Sequence, residues 1–254
     1  IRDVERSRGL GDVYKRQILG LIHWRDPLED KDKDMVDWCE HGIKIADILK
    51  DKALRAIFLA NKGLYLSSIW SHEDMQGAFN INVGNVLGIP VITEEQRQEK
   101  IKWLHLLEDQ FTNTFKEALD IAIELKSSQI IAQVCLLIGQ AAGERYIHLS
   151  HFGVKERADQ EKALSKRSIL IAKELYAYIG DGLGVGYAIH NLANELCIFG
   201  EEKEAMELTK TAIEIAKKYN DRSLLQTAEW LEERLRTGKI PDYVHGERRE
   251  RKKQ

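Results

Sequence analysis

The sequence predicts an all-α fold built of stacked antiparallel helical hairpins. Apolar residues recur at spacings of three and four through most of the chain, which is the period of an amphipathic helix. Similar helical segments recur along the chain, which is typical of repeat architectures. Only three prolines occur, at positions 27, 90 and 241, so long stretches contain no residue that breaks a helix.

The helices follow one another from about Asp30 to residue 236. The first carries Met35, Trp38 and Ile45 on one side. Thr93–Gln96 (TEEQ) matches a capping box and predicts the start of a long helix. Residues 73–92 are rich in glycine and asparagine, and no element is assigned to them. The predicted helices cover 30–49, 53–70, 93–126, 129–149, 158–178, 185–199, 202–219 and 222–236.

Two pairs of segments show the internal repetition. Residues 45–63 (IADILKDKALRAIFLANKG) align without gaps with residues 121–139 (IAIELKSSQIIAQVCLLIG). IAKEL at 171–175 and IAKKY at 215–219 are each followed by an aspartate, Asp181 and Asp221, and then by another helix. Such units cannot bury their apolar faces alone, so they are expected to stack.

The segment 186–218 (GYAIHNLANELCIFGEEKEAMELTKTAIEIAKK) resembles a tetratricopeptide repeat. Ile189, Leu192, Ala193 and Leu196 occupy the large, large, small, large positions of the family's first helix, and Gly200 falls at the turn. Ala205 and Ala212 occupy the small positions of the second helix, whereas Thr209 stands where an aromatic residue is usual and Lys217 where a proline often ends the unit. The resemblance implies a right-handed α–α superhelix with irregular, long repeats.

The first 17 residues resemble a translated sequencing adapter. Ser7–Gln17 (SRGLGDVYKRQ) can be reverse-translated into an adapter of transposase-based sequencing libraries, and Ile1–Arg6 fits the preceding primer and index. We therefore expect three regions: a non-native segment at 1–17, a repeat domain at 18–239 with its best match at 120–237, and a basic disordered tail at 240–254. We also expect the chain to be a C-terminal fragment that has lost an upstream effector domain.

Composition limits the partners and the cellular setting. The net charge is −3, so no general attraction to nucleic acid or to an anionic membrane is expected. No apolar run approaches the roughly 20 residues that span a bilayer. Three widely separated cysteines, Cys39, Cys135 and Cys197, favour a reducing, cytoplasmic setting. No cofactor is predicted.

Two motifs could indicate chemistry, and a third pattern is interpreted as structural. Glu144, His148 and His151 share one helical side and could offer ligands to a metal, although no third strong ligand lies nearby and no metal site is predicted. Arg145 and His151 have the R-x5-H spacing that resembles the RNA-cleaving motif of the all-helical HEPN nucleases, although Tyr146 stands where that family usually has a polar residue. The glycine run at 180–187 (GDGLGVGY) is interpreted as a flexible turn between helices, because it lacks the spacing and the preceding strand of a nucleotide fingerprint.

The resemblance to tetratricopeptide repeats implies that the chain is a protein–protein interaction scaffold rather than an enzyme. In that family, the inner face of each first helix binds an extended peptide, and amide side chains suit this role because they both donate and accept hydrogen bonds. A metal-independent ribonuclease using Arg145 and His151 is the alternative. The residues predicted to line the peptide groove are Gln133, Gln140, Tyr187, His190, Asn191 and Asn194.

Overall fold

The computed structural model describes residues 31–87, 94–151 and 153–238, and these residues form eight α-helices with no strand among them. The predicted all-α fold is confirmed for this part of the chain. The predicted adapter segment at 1–17, the capping residue Thr93 and the basic tail at 240–254 lie outside the described residues. The helices are α1 (Lys31–Leu49), α2 (Lys52–Leu87), α3 (Glu94–Glu124), α4 (Ser128–His151), α5 (Lys155–Tyr178), α6 (Gly182–Ile198), α7 (Glu202–Tyr219) and α8 (Arg222–Thr237).

Consecutive helices pack against each other as hairpins, and the hairpins stack in chain order. Beyond the consecutive pairs, α2 packs against α4, α4 against α6, and α6 against α8. We call these four helices the even row. Within the described ranges, the backbones of the odd-numbered helices α1, α3, α5 and α7 do not approach one another, although the ion pair of Arg157 with Glu108 at 2.6 Å bridges α5 and α3. The even row is therefore the continuous side of the stack.

Each helix of the even row begins with the same turn. The residue before the N-cap is left-handed at Lys50, Lys126 and Asn220, with φ of 53°, 50° and 51°, and at Gly180. The N-cap side chain then accepts a hydrogen bond from the backbone N–H three residues on, as Asp51 does from Leu54 at 2.9 Å and Asp221 does from Leu224 at 2.8 Å. Ser127 and Asp181 cap α4 and α6 in the same way.

Residues 45–63 and 121–139, which align without gaps, have the same local structure: a helix end, a capped turn and the start of the next helix. Lys50 and Lys126 are the left-handed residues, and Asp51 and Ser127 are the N-caps. Both segments end on a buried glycine that contacts the next helix: Gly63 lies against the ring of Phe115 in α3, and Gly139 lies against Ile169 in α5.

The residues that carry the resemblance in 186–218 are core residues. Ile189, Leu192, Ala193, Leu196, Ala205 and Ala212 are all buried. Thr209, which replaces an aromatic residue, is fully buried, and its hydroxyl donates to the carbonyl of Ala205 at 2.7 Å. The polar replacement is therefore tolerated because its hydroxyl is satisfied within its own helix.

The interpretation of residues 180–187 as a flexible turn is wrong. Only Gly180, with φ of 74°, and the N-cap Asp181 form the turn, and helix α6 begins at Gly182. The following glycines are sites of close helix packing. A Cβ at Gly184 would lie 2.5 Å from the Tyr176 ring, and one at Gly186 would lie 2.6 Å from Cγ2 of Ile215. Glycine here provides space between helices rather than flexibility.

The second helix is longer than predicted, since α2 continues from the predicted end at Trp70 to Leu87. Glycine and asparagine lower helix propensity by only about 1 kcal/mol or less per residue. No proline occurs between Lys52 and Leu87, so nothing in the sequence forces the helix to end earlier.

No described helix combines the length and the apolar character needed to cross a bilayer. Cys39, Cys135 and Cys197 are free thiols, and burial raises the pKa of Cys39 to about 12 and that of Cys135 to about 11.

Lys62, a charged residue within a largely buried stretch of α2, is half-buried and pairs with Glu40 of α1 at 2.7 Å.

Replacing Gly186 with alanine should lower the free energy of unfolding by about 1–3 kcal/mol, because the new methyl group overlaps Ile215 and Leu224. Urea unfolding followed by circular dichroism measures the change. In an Ile215→Ala background the overlapping Cγ2 is gone, so the same substitution should cost less. An equal cost in both backgrounds would contradict the packing explanation.

Candidate ligand-binding face of the even row

A chain of hydrogen bonds joins three helices of the even row. Gln140 Nε2 in α4 donates to Asn191 Oδ1 in α6 at 2.8 Å. Asn191 Nδ2 donates to the backbone carbonyl of Tyr187 at 3.0 Å, and the Tyr187 hydroxyl donates to Asp221 Oδ1, at the start of α8, at 3.1 Å. Three of the six predicted groove residues are therefore brought together, although Gln140 and Asn191 are 51 positions apart in sequence.

The other three predicted residues lie on the same two helices. Asn194 follows Tyr187 by seven positions, and Gln133 precedes Gln140 by seven, so each lies two turns away on the same side of its helix. Both amides are half-buried, and neither makes a side-chain hydrogen bond to another described residue. His190 is half-buried on α6 between Tyr187 and Asn194. The face thus combines amides that bond each other with amides that keep their bonding capacity.

A buried carboxyl group, Glu195, lies at the junction of α4 and α6. It is only 4% exposed, and Oε2 accepts no hydrogen bond from the described residues. Burial raises the pKa of Glu195 to about 8, and the charge of Glu144 acts in the same direction. Glu195 is therefore largely protonated at neutral pH, because the interior disfavours its charged form.

Gly143 of α4 makes room for this carboxyl group. A Cβ at position 143 would overlap Oε1, Oε2 and Cδ of Glu195, so no other residue fits there without moving Glu195. The sequence prediction missed Glu195. The available signal was an acidic residue placed directly between Ala193 and Leu196, two positions that the helical period assigns to the core.

Gln140 retains an unused acceptor on the same face. Its Oε1 atom is buried and accepts no hydrogen bond from the part of the chain that the structure describes, while Nε2 donates to Asn191. An unsatisfied buried acceptor costs on the order of 1–3 kcal/mol. Because this atom is covered, it is a cost within the α4–α6 contact and not a site that a ligand on the surface reaches.

Arg145, the arginine of the nuclease-like spacing, is buried and contacts side chains of three other helices. It is 5% exposed, donates to Ser67 Oγ at 2.9 Å and pairs with Glu161 Oε2 at 2.8 Å. Its guanidinium also lies 4.8 Å from the centre of the Phe111 ring. These contacts join α2, α3, α4 and α5, which gives Arg145 a structural role. The His151 side chain lies outside the described residues.

The described histidine, cysteine and acidic side chains form no group of three that could hold a metal ion. Of the potential metal ligands named from the sequence, His148 is buried in α4 and Glu144 is half-buried one turn before it. The charge of Glu144 acts on Glu195, so this carboxylate belongs to the α4–α6 junction.

Comparison with known protein families and with curated proteins finds no match to this chain.

Replacing Glu195 with glutamine should remove a pH dependence of stability. The unfolded carboxyl titrates near 4.5 and the folded one near 8. The contribution of Glu195 to the wild-type stability is therefore fully present below pH 4.5, falls as the pH rises towards 8 and is lost above that pKa. The free energy of unfolding of the variant, relative to that of the wild type, should therefore rise from pH 5 to pH 8.5. The rise should be on the order of a few kcal/mol.

Urea unfolding of both proteins at the two pH values measures this gain. Glu214→Gln is the matched control, since Glu214 is exposed on α7. A glutamine variant whose advantage over the wild type is the same at pH 5 and pH 8.5 would contradict the raised pKa.

Proposed function

We propose that this chain is a protein-interaction scaffold of the tetratricopeptide type, which binds an extended peptide along the even row. The observation that carries the proposal is the hydrogen bond between Gln140 and Asn191. Two residues that the repeat resemblance assigned to the groove meet across adjacent helices, and they do so on the continuous side of the stack. The proposal extends to a right-handed superhelix whose concave face is the even row.

The contacts between helices support this choice of face. Helices on the concave side of a superhelix lie closer together than those on the convex side. The even helices pack against one another, whereas the backbones of the described odd helices do not approach each other. A peptide on the even row would therefore meet adjacent helices without a gap.

The chemistry of the face favours recognition of a peptide backbone. Gln133 and Asn194 make no side-chain hydrogen bond to another described residue, so their amides have unused hydrogen-bonding capacity. An extended peptide presents alternating N–H donors and carbonyl acceptors, and amide side chains pair with both. Half-buried positions suit this role, because they are reachable and yet sufficiently dry for a hydrogen bond to contribute to affinity.

The wider setting belongs to the same proposal. We propose that the chain acts in the cytoplasm as part of a larger regulatory or signalling protein, and that an effector domain precedes it. The three free thiols support a reducing setting. The buried ion pair of Arg145 does not favour the ribonuclease, so peptide binding is the function that we propose.

Selection of a displayed random-peptide library on the full chain tests the proposal, and the selected peptides become the probes. Asn194→Ala and Gln133→Ala should each weaken binding of a selected peptide about tenfold, the equivalent of one or two hydrogen bonds. Calorimetry or fluorescence anisotropy measures the dissociation constants. These two residues are the sharpest probes, because replacing Gln140 or Asn191 would also break a contact between helices.

The matched controls are Asn113→Ala and Gln160→Ala, which remove exposed amides from the odd helices α3 and α5. They should leave binding unchanged. A library that yields no binder, or binders that respond to the controls and not to Asn194, would refute the even row as the site. Cleavage of RNA in the presence of a chelator, lost in His151→Ala, would instead support the ribonuclease.

A further inference from the structure

Helix α5 leaves an apolar stripe uncovered on the side away from the even row. It packs against α4 and α6 through its buried side, which includes Ser165, Ile169 and Ala172. On the opposite side Leu170 and Ile171 are 41% and 40% exposed, and Tyr178 is 83% exposed. These residues line one shallow, almost wholly apolar depression together with Ala163, Lys166, Arg167, Glu174 and Leu175.

The stripe is arranged symmetrically about its midpoint between Leu170 and Ile171. Arg167 and Glu174 lie at equal distances on either side of this point, and so do Ala163 and Tyr178. A small residue is thus matched with a large one, and a cation with an anion. If an identical helix lay antiparallel across α5, Arg167 of one copy would face Glu174 of the other, and Ala163 would face Tyr178.

The charges on the stripe are available for such a contact. Arg167 is exposed and makes no ion pair within the described chain. Glu174 is 71% exposed at its side chain and pairs with the adjacent Lys173, at 3.2 Å. Lys166, in contrast, is held by Glu201, the N-cap of α7, at 2.6 Å, so Arg167 is the cation left for an external partner.

We propose that a second copy of this chain covers the stripe, through a two-fold contact between antiparallel α5 helices. Leu170 and Ile171 form the apolar centre, and Arg167 of each copy pairs with Glu174 of the other. Tyr178 of each copy packs over Ala163 of the other. A two-fold contact uses the same patch on both copies and so must be self-complementary, which this stripe is in size and in charge.

The position of α5 makes the contact accessible. The described parts of α3 and α7 do not pack their backbones against α5. The ion pairs that link α5 to these regions use Arg157, Lys162 and Lys166, so they leave Arg167 and Glu174 uncovered. The even row lies on the other side of α5 and remains free. Dimerisation would therefore place two even rows on one particle. The dimer contact itself does not depend on whether the even row binds a peptide.

Charge reversal tests the contact. Sedimentation equilibrium of the full chain should show a monomer–dimer equilibrium. Arg167→Glu and Glu174→Arg should each weaken the dimer at least about tenfold, because each places like charges opposite one another twice. The double variant carries both reversals and should recover the wild-type dissociation constant.

Mixing the two single variants gives the sharpest result. In the mixed pair, the glutamate introduced by Arg167→Glu faces the arginine introduced by Glu174→Arg, and the remaining native Arg167 faces the remaining native Glu174. A heterodimer should therefore form where neither variant dimerises well alone. Lys210→Glu, a reversal at an exposed position on α7, is the matched control and should leave the dimer intact. Circular dichroism of each variant verifies that the helices are unchanged.

A wild-type chain that stays monomeric up to hundreds of micromolar would overturn the proposal. A dimer that ignores both single reversals, or a double variant as weak as the singles, would overturn it too, because the dimer would then use another surface. Loss of the dimer with peptide binding intact would leave the proposed function standing, so the two proposals fail separately.

Discussion

Close approach of helices through small side chains is the constraint on which this stack depends. Helices α4 and α6 meet where Gly143 of α4 leaves space for Glu195 of α6, and the buried alanines Ala132 of α4 and Ala188 of α6 belong to one apolar cluster. Side chains at the contact set the separation of packed helices, normally 8–10 Å between axes. Larger residues would move the helices apart, and Gln140 would then no longer reach Asn191. The polar contacts of the even row are therefore a consequence of its small residues.

The same close packing creates the unusual electrostatics of the α4–α6 junction. Gly143 leaves a space that is filled by the carboxyl group of Glu195, which is cut off from water and lies near Glu144. A protonated carboxyl costs much less to bury than a carboxylate. Polar groups concentrate on the even row, while the uncovered side of α5 is largely apolar, so the two sides of the stack suit different kinds of partner.

Periodicity and repetition predicted the architecture well, and single residues within it less well. Buried stripes such as Ile189, Leu192 and Leu196 leave a helical period in the sequence, and repeated turns leave Asp181 and Asp221 before their helices. The glycine run at 180–187 was wrongly interpreted as a turn, because the sequence alone does not distinguish a glycine in a turn from a glycine at a close contact between helices. Glu195 was missed for a related reason, since its burial depends on a glycine that lies far away in the sequence. The amides of the even row were predicted only because the repeat resemblance assigned positions to them.

The shared turn before each even helix has a geometric consequence. All four helices of the even row start from the same kind of capped turn and run in the same direction, so their N-terminal ends lie along one edge of the stack. Their lengths differ, from 36 residues in α2 to 16 in α8. With a rise of about 1.5 Å per residue, these correspond to roughly 54 Å and 24 Å. The N-terminal ends of the four helices are therefore aligned, whereas their C-terminal ends are not. The row becomes narrower towards the C-terminal end of the chain. Insertions and deletions in such a protein would be tolerated at the edge formed by the C-terminal ends of these helices, where they leave the spacing of the capped turns unchanged.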